Sequence, residues 1–203
     1  MSDFEWLLFL AQLPGTPSSL RVNVWRRLRD AGSTSLQNGV WILPSTSKNK
    51  IFMERLLAYV KQSGASGQIF LVQGLDQAVH ESIVERFKVD RDLEYDEFLE
   101  HCEAFISELE IEIQHQKYTF AELEESEQNL QRLGKWITKI QERDFFKTKG
   151  AQDAITAYQN CQLWLQKYTH HVYTKEGIET PLESETLSEE SGQPDAERLD
   201  DLG

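Results

Sequence analysis

Cysteine is scarce in this chain. With only Cys102 and Cys161 among 203 residues, a disulfide-stapled secreted scaffold is excluded. Both cysteines stand at apolar helix-period positions, which reads as buried thiols in a reducing cytoplasm. Long apolar runs are lacking too. The longest, residues 6–11, is far short of the roughly 20 needed to span a bilayer, and it follows Asp3 and Glu5 where a leader would carry basic residues. No membrane partner is expected. The five histidines, His80, His101, His115, His170 and His171, form no His-x-x-x-His pair, and the cysteines form no Cys-x-x-Cys, so no metal site is expected. A glycine-rich phosphate loop, a nucleophile elbow and a Rossmann fingerprint are all missing. Carboxylates are dense on the solvent faces of the helical part, where pairs arise from composition alone. The chain therefore reads as a non-enzyme without a cofactor.

What is abundant is acid, unevenly spread. The formal net charge is −13, which argues against a polyanionic partner if taken as an average. Residues 1–90, however, hold ten Lys and Arg against eight Asp and Glu, so the excess acid lies further on. From residue 176 to 203 there are ten acidic residues and one basic one, Arg198, set among Gly, Pro, Ser and Thr. Such a segment buries too little apolar surface to order itself and is expected to be a disordered acidic tail.

The first 75 residues alternate between strand and helix patterns. A buried strand over 4–13 ends at Pro14-Gly15-Thr16-Pro17. A helix follows from Ser18 or Ser19 to a stop at Gly32. Asn38-Gly39, between Leu36 and the run Val40, Trp41, Ile42, Leu43, predicts a two-residue hairpin with positive φ at both central positions. A helix over about 50–62 carries Phe52, Leu56, Leu57 and Val60 inward, and a strand over 68–73 follows. Strand, helix, strand, strand, helix, strand is the ferredoxin-like split βαβ order, with four antiparallel strands burying one face under two helices.

After Gly74 the pattern turns helical. One stripe runs through Phe98, Cys102, Phe105, Leu109 and Ile113. A second helix opens on the capping box Thr119-x-x-Glu122 and carries Leu123, Leu130, Leu133, Ile137 and Ile140. A third, over 151–173, steps by three and four through Ala151, Ala154, Tyr158, Cys161, Leu165, Tyr168 and Val172. The fold class is thus α+β: a ferredoxin-like subdomain over 1–75, an antiparallel bundle of long helices over 76–175, and the acidic tail over 176–203.

One electropositive cluster stands out. Leu20, Val24 and Leu28 form the apolar stripe of the first helix, while Arg21, Arg26, Arg27 and Arg29 fall mainly outside it. Guanidiniums on one helix can clamp phosphates bidentately and dock a module on duplex DNA. The bland alternative is a solvated face with local ion pairs to Asp30. Trp25 and Trp41 have apolar neighbours at matching periods and read as core or domain-contact residues rather than base-stacking platforms.

Several ordered motifs carry a resemblance: WLLFLAQLP, LRVNVWRRLRDAG, LQNGVWILP, KYTFAELEESEQNLQRLGKWITKIQERDFF and, after the helix containing Cys161, HHVYTKE. Over about residues 6–176 the chain resembles the N-terminal domain of the ChrB family of chromate-resistance regulators. Its first part is more distantly similar to PaaX-type regulators. The resemblance implies a cytoplasmic bacterial DNA-binding transcription regulator acting on the promoter of a chromate-efflux operon. Members of that family continue into a second domain to which the chromate response is ascribed. The present sequence runs from the helices into the acidic tail, so the expectation is a module lacking that sensor, working alone or with a separately encoded one.

Combining charge and resemblance, Arg21, Arg26, Arg27 and Arg29 are the candidate DNA contacts, and a homodimer through edge strands or the helical seam is a possible assembly. The alternative is a protein-interaction adaptor of a chromate-resistance system that does not touch DNA. A metal-dependent nuclease of the small CRISPR-associated ferredoxin-like kind is disfavoured: those enzymes carry an aspartate at the end of the first strand, where this chain has Ala11-Gln12-Leu13-Pro14.

Overall fold

Strand β1 (Glu5–Gln12) is the axis of the fold, because it is paired on both sides. A computed structural model describes residues 4–16 and 18–178; the expected tail, from 179 onward, lies outside the described residues. Helix α1 (Ser19–Asp30) is followed by β2 (Thr34–Gln37), β3 (Val40–Pro44), α2 (Ser47–Gln62) and β4 (Ser66–Gln73). The sheet order is β2-β3-β1-β4 with every pair antiparallel, which is the ferredoxin-like arrangement. Three long helices follow: α3 (Gln77–Gln114), α4 (Phe120–Glu142) and α5 (Gly150–Glu176).

Local chemistry accounts for the boundaries. Thr46 accepts a hydrogen bond from the Asn49 backbone N–H, so α2 begins three residues before the pattern alone suggested. Thr119 caps α4 by accepting from the Glu122 N–H at 3.2 Å. At the end of α1, Gly32 takes φ +77° and the Ser33 N–H returns to the Leu28 carbonyl at 3.0 Å, closing the helix in a Schellman-type turn.

The hairpin differs from its expected form. Gly39 has φ +77°, but Asn38 is not among the residues with positive φ. The β2–β3 register shifts between Ser35 and Gln37. That bulge adds local twist, so one left-handed residue suffices where a regular two-residue hairpin needs two. The Gly39 carbonyl also accepts from the Ala11 N–H at 3.0 Å, tying the turn to the end of β1.

The sheet is covered on both faces, not one. Register puts Leu7, Phe9, Leu43 and Ile69 on one side, and α2 closes over it, with Leu57 and Phe9 meeting at Gly67. Trp6, Leu8 and Ile42 face the other way. There Phe87 of α3 stacks on Trp6 with centroids 5.6 Å apart, and Phe146 lies 6.0 Å from the same ring. Arg86 of α3 donates to the Ser35 and Leu36 carbonyls, and Asp90 accepts from the Thr34 hydroxyl. The first helical turns beyond residue 75 are thus part of the sheet's core.

The chain accordingly divides into two compact units, Met1–Glu100 with Gly134–Thr156, and His101–Leu133 with Ala157–Gly203. The sheet-bearing unit takes in more chain than residues 1–75, because Phe87, Phe145 and Phe146 join its core. In the second unit the expected stripes are inward: Cys102, Phe105, Leu109, Leu123, Leu133, Cys161, Leu165, Tyr168 and Val172 are buried. The Cys161 thiol donates to the Cys102 carbonyl at 3.6 Å, and the Tyr168 hydroxyl donates to the Lys117 carbonyl at 2.6 Å.

Candidate nucleic-acid interface

Helix α1 lies on the sheet through Leu20, Val24 and Leu28, all buried, and this fixes where its arginines point. At about 100° per residue, Arg26 stands opposite the buried stripe, Arg27 falls on one flank, and Trp25 and Arg29 fall on the other. All four candidate arginines are exposed. They do not form one uniform face.

Arg27 lies over the ring of Tyr59 in α2, 4.1 Å from its centroid. It also lines a cavity of about 480 Å³ with Lys48, Phe52, Lys139, Arg143 and Phe145 among its neighbours. Arg29 is drawn the other way. Its Nη2 is 3.7 Å from Glu94 Oε1, and its guanidinium sits 5.3 Å from the Trp25 ring. Arg21 and Arg26 have no carboxylate within 4.0 Å among the described residues, and Asp30 forms no such pair with any neighbouring arginine. The local ion pairs to Asp30 are therefore not made, and Glu94 of α3 takes that place.

Trp25 corrects the sequence reading: it is 46% exposed, not a core residue. With Arg26, Arg29 and Trp136 it borders a shallow cavity of about 420 Å³. The apolar neighbours that suggested burial, Val24 and Leu28, point into the core, while Trp25 sits one step around the helix. Trp41, half-buried against the sheet core, is placed as expected.

Three further residues support the arginine helix and were not found from sequence. Glu94, buried, accepts from Arg91 Nη1 at 2.7 Å and from Arg143 Nη2 at 2.8 Å. Burial pushes the Arg91 pKa down, and the adjacent Glu94 charge opposes that shift. A three-residue spacing between Arg91 and Glu94 was visible in the sequence, but such pairs are common on exposed helices. Nothing local marked this one as buried.

Among the described residues, no three His, Cys, Asp or Glu side chains are grouped to hold a metal ion. None of the described helices is long and apolar enough to cross a membrane. The sequence model of the family described as "Protein ChrB, N-terminal" matches residues 21–179. The chain belongs to the ChrB N-terminal family. The match opens at Arg21 and takes in α1 from that residue on, with all four arginines, the remaining strands, α2 and the three long helices. A relative named Protein ChrB, from Cupriavidus metallidurans, is 24% identical over 154 residues. That alignment covers 75% of this chain and 44% of the relative, so the chain spans less than half the length of this ChrB protein. In ChrB N-terminal terms, the sheet unit and its arginine helix lie inside the shared region except for β1 and the first two residues of α1, which precede the match.

Proposed function

We propose that this chain is a duplex-DNA-binding module of a cytoplasmic chromate-resistance regulator, docking on phosphates through α1. The observation that carries the reading is the state of the arginines. Arg21, Arg26 and Arg27 are exposed and have no carboxylate partner among the described residues, so their charge is available to a polyanion. Arg29, tethered to Glu94, contributes position more than charge. Trp25 beside Arg26 offers an apolar surface to the sugar–phosphate edge. Promoter choice, and any separately encoded sensor domain, would supply what phosphate contacts alone do not.

The protein should bind its own upstream promoter fragment more tightly than an unrelated duplex of equal length. Affinity should fall steeply with salt. Replacing Arg26 and Arg27 together by alanine should lower the slope of log affinity against log salt by roughly two, one per phosphate contact. Unchanged binding by the double variant would remove α1 from the mechanism, and no binding at low salt would favour an adaptor role. A homodimer through edge strand β4, which has no charged side chain and exposes Phe70 and Leu71, fits this reading and is tested by sedimentation with and without DNA.

A further inference from the structure

Of the residues that line the cavity on the Arg27 flank of α1, phosphate docking uses Arg27 alone. Its volume, about 480 Å³, lies in the range of small-molecule sites. Phe52 and Phe145 are half-buried and packed against the sheet core, whereas Arg27, Lys48 and Lys139 are exposed. The aromatic surface is therefore at the inner end and the cations are at the mouth. Two of the lining cations are already engaged: Lys48 is 3.6 Å from Glu142, and Arg143 is held by Glu94. Arg27 and Lys139 have no carboxylate within 4.0 Å among the described residues, and Asp30 is the one lining acid left to offset them. Tyr59 holds the Arg27 guanidinium at this position.

An apolar interior with two cations at its entrance, and Asp30 alone left to offset them, matches one ligand chemistry. We infer that this cavity binds a small organic anion with an aromatic or aliphatic body, its anionic group between Arg27 and Lys139 and its body against Phe52 and Phe145. A purely inorganic oxyanion leaves the aromatic surface uncovered, and a neutral apolar molecule leaves the cations unpaired. Because Arg27 is also a proposed phosphate contact, a bound ligand withdraws its guanidinium from DNA and weakens DNA binding. This second, regulatory part rests on the DNA-binding reading; the ligand site itself does not.

The test uses the full chain, ¹⁵N-labelled, titrated separately with 2-naphthoate, with the neutral 2-naphthylmethanol and with sulfate. Saturable shifts at the amides of Ala31, Asn49, Phe52 and Phe145 are expected with 2-naphthoate, and much weaker ones with the alcohol or sulfate. The exposed substitution Lys139→Glu, which leaves the core intact, should weaken 2-naphthoate by roughly tenfold or more. Absence of saturable shifts at these amides, equal response to the alcohol or to sulfate, or indifference to Lys139→Glu overturns the site. A parallel DNA titration separates the two parts. If 2-naphthoate binds and DNA affinity is unchanged, the regulatory part is wrong and the site stands. If no DNA binds even without 2-naphthoate, the functional reading fails, while the amide shifts still decide the site.

Discussion

Arg143 grips Glu94 from 49 residues away, donating to the same carboxylate oxygen from Nε at 3.0 Å and from Nη2 at 2.8 Å. Arg91 donates to that oxygen at 2.7 Å, and Arg29 approaches the other at 3.7 Å. One buried carboxylate thus gathers guanidiniums from α1, from α3 and from the chain just after α4. It orients the last turn of the arginine helix.

Replacing Glu94 by alanine leaves clustered guanidiniums without their counter-charge, in a buried place. We expect a loss of about 3–5 kcal/mol in unfolding free energy, measured by urea denaturation. Arg29→Ala, at a half-exposed partner, should cost under about 1 kcal/mol. Comparable losses from the two substitutions would mean that Glu94 is not the hub of the cluster.

Gly32 is constrained twice. Its φ is +77°, and a Cβ built there would stand 2.5 Å from the Arg143 Cβ and 3.2 Å from a Phe145 ring carbon. Gly32→Ala should therefore destabilise by more than the roughly 1 kcal/mol of left-handed strain alone, and should disturb the Arg143–Glu94 contact. A thermal midpoint equal to that of the parent would contradict this packing.

In the second unit, Glu112 is buried, and its carboxyl is pushed from an ordinary 4.5 up to about 7. Burial is the main cause, the adjacent Glu122 carboxyl adds to it, the nearby Tyr168 hydroxyl opposes it, and the charges of Glu122 and Glu108 add again. Between these values the folded protein keeps a proton that the unfolded chain has lost. The stability that this carboxyl contributes is therefore full below pH 4.5 and is lost as pH rises through about 7. Glu112→Gln should flatten the pH profile of the unfolding free energy over this window. Parallel profiles for the two proteins would rule Glu112 out as the titrating group.

Both thiols are buried, and Cys161 is engaged with the Cys102 backbone. The adjacent Cys161 thiol and then burial push the Cys102 thiol up, while the adjacent Cys102 thiol pushes the Cys161 thiol down. Neither should react with an aromatic disulfide reagent in the native state, and both should appear together on unfolding. Rapid native labelling of either would show that the second unit opens locally.

The elements were legible because each has a period that neighbouring residues enforce by themselves. Leu20, Val24 and Leu28 mark α1, and the steps from Ala154 to Val172 mark α5, since an amphipathic helix repeats its apolar side chains whatever packs against them. The acidic balance of the second half and the basic character of α1 are likewise properties of composition. Two local readings failed where tertiary context intervened. Asn38 is spared a positive φ by the bulge in β2, and Trp25 is left exposed although its neighbours are buried.

The sequence by itself determined the kinds and order of the elements, the arginine content of α1, and, through long shared motifs, the family. Only the tertiary structure decided which arginines are free and which are bound, since the carboxylate that captures Arg29 and Arg143 sits on another helix. It also decided that α3 and the Phe145-Phe146 pair close the second face of the sheet. The physical reason is the same in both cases. Periodicity is a local property that sequence carries directly, whereas burial, ion pairing and cavity shape arise from residues tens of positions apart, which only the folded chain brings together.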